Sequence, residues 1–204
     1  MPGGHVLARL GGYGLALIPH WPFAFERVPD ASNAVRVTRF TPGGPRQVVI
    51  EPGGNVDGGD VVDVADGPQT PFWMVETSVF RLRWPASFTL ESPAETDDGT
   101  PFYLRGPADS MIFPQGPVER DRLADPQALV APGQTVLQRR DHEHGISVVE
   151  LGYRHEDRQW WQGHWVIPHH DDQVVVLTGQ AVLESAAVTR EAAEIMAASF
   201  GRTH

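Results

Sequence analysis

Between Thr135 and Gln180, apolar and β-branched residues gather in four runs, 135–140, 146–155, 159–167 and 173–180, joined by connections of only a few residues. Connections that short hold no crossover, so the predicted strands must run antiparallel to their neighbours. The period then changes. Val188, Ala192, Ile195, Met196 and Phe200 fall on one stripe of a helix predicted over 186–200, with Arg190, Glu191 and Glu194 opposite. Ser185 or Thr189 can cap its start. A helix that is apolar on one side and follows a meander packs across the sheet.

Upstream, Gly and Pro punctuate short runs rich in Val, Phe, Trp and Thr, the pattern of a mostly antiparallel β protein. His5–Leu10 and Tyr13–Ile18 flank Gly11-Gly12 and predict a hairpin with a glycine turn. Ala34–Phe40 and Arg46–Glu51 predict a second, on a longer loop, and Val61–Ala65 a further strand. Phe72–Trp84 is long enough for a bent strand or two strands, and Ser87–Glu91, Phe102–Arg105 and Ser110–Phe113 continue the β pattern. Val118–Val130 has helical composition, but Pro126 splits it into short pieces. Pro68–Pro71 is the expected seam between a hairpin-rich section, 1–71, and a sheet-plus-helix domain, 72–204, with one continuous domain as the alternative. The fold class is α+β: an antiparallel sheet with a C-terminal helix packed on it, preceded by an N-terminal β-hairpin section.

Composition then narrows the chemistry. With 204 residues and no Cys, the chain can bury a core without disulfides, and thiolate chemistry is excluded. All 16 basic residues are arginine, so lysine Schiff bases and phosphate-loop lysines are absent too. A net charge of -10 with scattered arginines is the wrong footprint for nucleic acid or an anionic membrane. No run of eighteen apolar residues occurs, and Arg9 interrupts the mildly apolar start, so a cytoplasmic protein is expected.

The stretch Phe80-Arg-Leu-Arg-Trp-Pro85 followed by Ser87-Phe88, then Val174-Val-Val-Leu-Thr-Gly-Gln180 leading into Glu191-Ala-Ala-Glu-Ile-Met-Ala-Ala-Ser-Phe200, resembles the Mog1/PsbP-like family. The likeness covers residues 75–204. It implies an antiparallel sheet covered by helices and used as a non-enzymatic binding or accessory module. The family's known partners do not transfer, because their contact residues have no counterpart that can be located in this sequence.

Three constellations carry candidate chemistry. His142-Glu-His144 with Glu150 is similar to the two imidazoles and carboxylate of a cupin metal site, and extended backbone would place all three on one face. Asp141–Gly145, however, sits between strand runs and reads more naturally as a turn. His164 and the Pro168–Asp172 loop, with His169 and His170, form a second histidine group that reads as an ordinary hairpin connection. Trp160, Trp161 and Trp165, with Tyr153 on the preceding strand, are the densest aromatics and the expected partner-binding surface. Alternation puts Trp161, Trp165 and Ile167 on one face and Trp160, His164 and Val166 on the other; a sheet covered on both sides would bury both sets. Asn55, Asp57, Asp60 and Asp63 offer oxygen donors near the glycine-rich Pro52–Asp60 stretch, which reads better as a turn than as a calcium loop.

The preferred reading is a non-catalytic interaction or accessory protein with a protein partner, in a multi-protein or secretion-related assembly, with no cofactor implied. Homo-oligomerisation stays open. The competing reading is a small cupin-like metal-dependent enzyme using His142, His144 and Glu150.

Overall fold

The computed structural model describes residues 8–31, 33–54, 57–95 and 97–203. The chain forms two compact units, residues 1–104 with 201–204, and residues 105–200.

The first unit is all β. Its strands are β1 Arg9–Gly12, β2 Leu15–Pro19, β3 Phe23–Arg27, β4 Val35–Thr41, β5 Gly44–Ile50, β6 Val62–Asp66, β7 Met74–Glu76, β8 Phe80–Arg83, β9 Thr89–Glu91 and β10 Tyr103–Arg105. One sheet has the order β8-β7-β1-β2-β6, and β9-β3-β4-β5 are neighbours in another. The predicted first hairpin forms with its turn moved: Gly12 pairs with Leu15, and Tyr13 and Gly14 make the turn, at φ 52° and 82°. Two positive φ angles match the twist of antiparallel strands. Gly11 and Gly12 stay in the strand, and a Cβ on Gly12 would lie 2.5 Å from the Phe72 carbonyl oxygen.

The predicted seam at Pro68–Pro71 is irregular backbone that runs against this hairpin. The amides of Tyr13 and Gly14 donate to the carbonyls of Thr70 and Pro68, and β7 pairs with β1 through Arg9 and Glu76. The 1–71 section therefore shares its sheet with residues beyond 71, and the compact units divide after Leu104. The core of this unit holds Trp73, Trp84, Phe23, Phe25, Phe80, Phe88 and Phe102.

The second unit contains β11 Met111–Glu119, a 3-10 turn Arg120–Leu123, β12 Thr135–Asp141, β13 Ser147–His155, β14 Arg158–His170, β15 Gln173–Val182 and the helix α1 Ala186–Ala198. The four predicted strands form, in the order β12-β13-β14-β15-β11, and the closing helix starts where predicted but ends at Ala198, short of Phe200. Glu156 and Asp157, at φ 47° and 62°, supply the two-residue turn between β13 and β14. Of residues 118–130, Val118 and Glu119 close β11, and the rest yield the 3-10 turn and a few further turns around Pro126. After α1 the chain ends in β16 Gly201–Arg202, paired with β8 of the first unit's sheet. Among the described residues no helix is long and apolar enough to cross a membrane.

Candidate functional site

Register fixes the two faces of the second unit's sheet. Glu150 pairs with Gly163 and Val148 with Trp165 across β13 and β14, while Gly163 pairs with Gly179 and Trp165 with Leu177 across β14 and β15. Side chains alternate along each strand, so these residues with Trp161 share one face. Helix α1 packs on it. Gly163 and Gly179 leave room for the two indoles: a Cβ on Gly163 would lie 2.7 Å from the Trp161 ring and 2.8 Å from that of Trp165.

The helix meets this surface with Ala186, Thr189, Ala192, Ala193, Met196 and Ala197, which are buried. Of the predicted stripe, Ala192 and Met196 face the sheet, but Val188 is 44% exposed and Ile195 38%. The rotation follows from what lies beneath. Two large indoles fill the groove, so the helix lays down its smallest residues, and Arg190 and Glu194 turn toward the sheet's polar residues. Ser185 precedes the helix, yet its side chain makes no capping bond; its hydroxyl donates to the Val182 carbonyl instead.

Those polar residues include the expected metal ligands, and their arrangement overturns the cupin reading. Glu150 is 5% exposed, and its Oε2 accepts from Trp161 Nε1 at 2.8 Å, Arg190 Nη2 at 2.8 Å and Arg190 Nε at 3.1 Å. The Arg190 guanidinium also lies over the Trp161 ring, 4.9 Å from its centroid. Arg140 bridges Glu194 and approaches Glu150 Oε1 at 3.8 Å. His142 Nε2 faces Glu194 at 3.3 Å. His144 sits exposed at φ 64° in a three-residue 3-10 turn, which breaks the parity a shared ligand face would need. Among the described residues no three His, Cys, Asp or Glu side chains gather as a metal site. Glu150 is thus the anionic centre of a helix-docking network.

The remaining donor groups behave similarly. The rings of His169 and His170 stack edge to face at 4.3 Å, and His169 is buried. Asn55 lies outside the described residues; Asp60 pairs with Arg46, and Asp63 Oδ2 with His20 Nε2 at 3.2 Å.

The aromatic cluster divides by face. Trp161 and Trp165 are both 0% exposed, so they are core residues and offer no surface to a partner. Trp160 and Tyr153 are half-buried cross-strand neighbours on the other face, stacked at 6.2 Å with 16° between ring planes. Burial pushes the Tyr153 phenol up from its usual range, and Arg158 lies 5.8 Å from the Trp160 ring centroid.

Below them on this second face, His164 is buried and its Nδ1 lies 2.9 Å from Thr178 Oγ1. Burial lowers its pKa to about 4, so the imidazole is neutral near neutrality. Next to it the sheet is covered by the irregular segment 120–129, and between segment and sheet lies a cavity of about 330 Å³. Its floor is a cross-strand patch: Ser147 pairs with Val166 across β13 and β14, Pro168 with Val174 across β14 and β15, and Val149, opposite His164, borders them. Leu123 and Leu129 close it from above, with Arg120 and Arg139 among its lining and Ser147 its hydroxyl. Arg139 Nη2 donates to the Pro126 carbonyl, tying the cover to β12.

Sequence reasoning missed this cavity. The available signal was Pro126 inside a helix-like stretch: a broken helix covers a sheet face incompletely.

No protein-family profile matches the chain, and no curated protein does. Among solved structures it is similar to LpqN, involved in cell envelope biogenesis of Mycobacterium tuberculosis, at 20% identity and a TM-score of 0.43, over 61% of this chain and 83% of that one. It is similar also to cyanobacterial PsbP (CyanoP) from Synechocystis sp. PCC 6803, at 10% identity and a TM-score of 0.37, over 61% of this chain and 86% of that one. At these values neither likeness carries a conclusion about this chain's family, partners or activity.

Proposed function

We propose that this protein is a non-catalytic accessory protein that holds a small molecule in its second unit. The observation that supports this reading is the cavity between the sheet and residues 120–129. At about 330 Å³ it falls in the range of small-ligand sites, and its lining joins Val, Leu, Pro and Ala with two arginines, two aspartates and a serine. The densest charged cluster of the same unit, Glu150 with Arg190 and Arg140, is spent on docking α1. A protein partner belongs to the same proposal, at the half-buried Tyr153 and Trp160.

Native mass spectrometry of the protein purified from its host tests the first part. One small-molecule adduct per chain is expected, lost on Val166→Trp, which fills the cavity. Turnover of the bound molecule by the protein would overturn the non-catalytic reading. A Trp160→Ser chain that captured the same protein partner as before would place the partner surface elsewhere.

A further inference from the structure

We propose that Asp57-Gly58 is a site of spontaneous isoaspartate formation, selected by the fold from three Asp-Gly steps that the sequence ranks equally. The steps are 57–58, 66–67 and 98–99. Glycine has no Cβ, so at each of them the amide nitrogen that follows the aspartate is unshielded.

The reaction joins that nitrogen to the aspartyl side chain. It attacks Cγ of the protonated carboxyl; the N–Cγ bond forms, a Cγ–O bond breaks, and water leaves with the amide proton. Hydrolysis of the resulting succinimide returns the water. Opening at Cγ restores aspartate. Opening at the main-chain carbonyl leaves the glycine nitrogen on Cγ, which puts an extra methylene in the backbone and a carboxylate on Cα. Composition and oxidation state are unchanged, and water is the only co-reactant.

Two of the three steps are held against this chemistry. Asp66 closes β6 opposite Leu15, and the Gly67 amide donates to the Gly14 carbonyl at 3.0 Å, so the nucleophile is engaged. At Asp98 both carboxylate oxygens are engaged: Oδ1 accepts from the Thr100 amide and Oδ2 from the Tyr103 hydroxyl, each at 2.8 Å. Hydrogen bonds to a carboxylate favour its anion, which is a poor electrophile. Asp57 escapes both restraints. It is exposed, and among the described residues its carboxylate accepts only from the Gly59 amide, at 3.1 Å, while the Gly58 amide donates to no acceptor. Packing does not separate the glycines, since a Cβ would lie 2.3 Å from its nearest neighbour at Gly58 and 2.1 Å at Gly67. Their hydrogen bonds do.

Conversion would act on an anchor close by. The Asp60 carbonyl accepts from Arg39 Nη1 at 2.6 Å and lies 2.8 Å from His20 Nδ1, and its carboxylate pairs with Arg46. An added methylene between residues 57 and 58 changes the reach of the chain into this anchor, so ageing of the protein bears on the connection between β5 and β6.

Incubation of the full chain at neutral pH and physiological temperature tests this, with isoaspartate counted by enzymatic carboxyl methylation and located by electron-transfer mass spectrometry. In the native protein, position 57 is expected to convert at least about tenfold faster than 66 or 98; in guanidinium chloride the three rates should agree within about threefold. Asp57→Glu should remove most of the native signal, and the wild-type site map decides the matter even if that variant misfolds. Native conversion at 66 or 98 as fast as at 57 would overturn the proposal. So would a native chain that stays unconverted at 57.

Discussion

The two faces of the second unit's sheet are built from the same three strands, yet one is closed and the other is not. On the helix face, Gly163 and Gly179 open a groove, Trp161 and Trp165 fill it, and the Ala-rich side of α1 seals it. On the other face, Val149, Val166 and Val174 meet a cover that is mostly turns, and about 330 Å³ stays empty of protein atoms. A regular helix presents a continuous ridge to a sheet; a proline-broken segment cannot. The contrast separates a face closed by packing from one that keeps an open space.

If so, substitutions on the helix face should cost more stability than those among the residues lining the cavity. The largest effect is expected from Arg190→Ala, which strips a buried carboxylate of its main partner. Loss of one member of a buried pair costs about 3–5 kcal/mol; with the Arg190 side chain 39% exposed, about 3 is expected in urea unfolding. Pairing Glu150→Leu with Arg190→Met should restore most of it, since the charge is then gone as well. An Arg190→Ala protein as stable as wild type would remove the network from the account of helix docking.

His164 should produce the next effect. The unfolded chain takes up its proton near pH 6.5, the folded one only near pH 4, so between them the unfolded state binds more protons. Its contribution is full above pH 6.5, falls as pH drops through that window and levels off below about 4. The total is about 3 kcal/mol at roughly 1.4 kcal/mol per pKa unit. His164→Gln should flatten the stability profile from pH 7 to pH 4 relative to wild type, and parallel profiles would contradict the buried neutral imidazole.

Gly163→Ala is expected to cost about 2 kcal/mol, because its Cβ would press on two indoles that have no free volume to enter. Leu129→Ala should be smallest, under about 1 kcal/mol, since its side chain is half-exposed and borders a space already empty. Equal costs at these last two positions would erase the distinction between the faces.

Alternation and turn length made the β12–β15 meander readable, because strand period and a two-residue connection are local properties of the chain. The rotation of α1 was not local. Val188 and Ile195 are as apolar as Met196, and only the indoles beneath decide which of them is buried. The same holds for Trp161 against Trp160: parity separates them, but which face receives the helix is a tertiary outcome. The seam at Pro68–Pro71 looked like a boundary because prolines and polar residues cluster there, yet its backbone carbonyls are the acceptors for the first hairpin. The Glu150 network stayed hidden for a related reason: Glu150, Trp161 and Arg190 are far apart in sequence and share no motif.

Trp161 has a consequence of its own. Its indole N–H is held by a carboxylate and its ring faces a guanidinium from the helix, so its excited state feels two opposite charges whose positions depend on α1 being seated. The chain therefore carries an intrinsic optical gauge of helix attachment. Lifting α1 would shift the Trp161 emission to longer wavelength while leaving Trp160, stacked on Tyr153 on the other side of the sheet, unchanged. Detachment of the helix can be followed by fluorescence without adding a label.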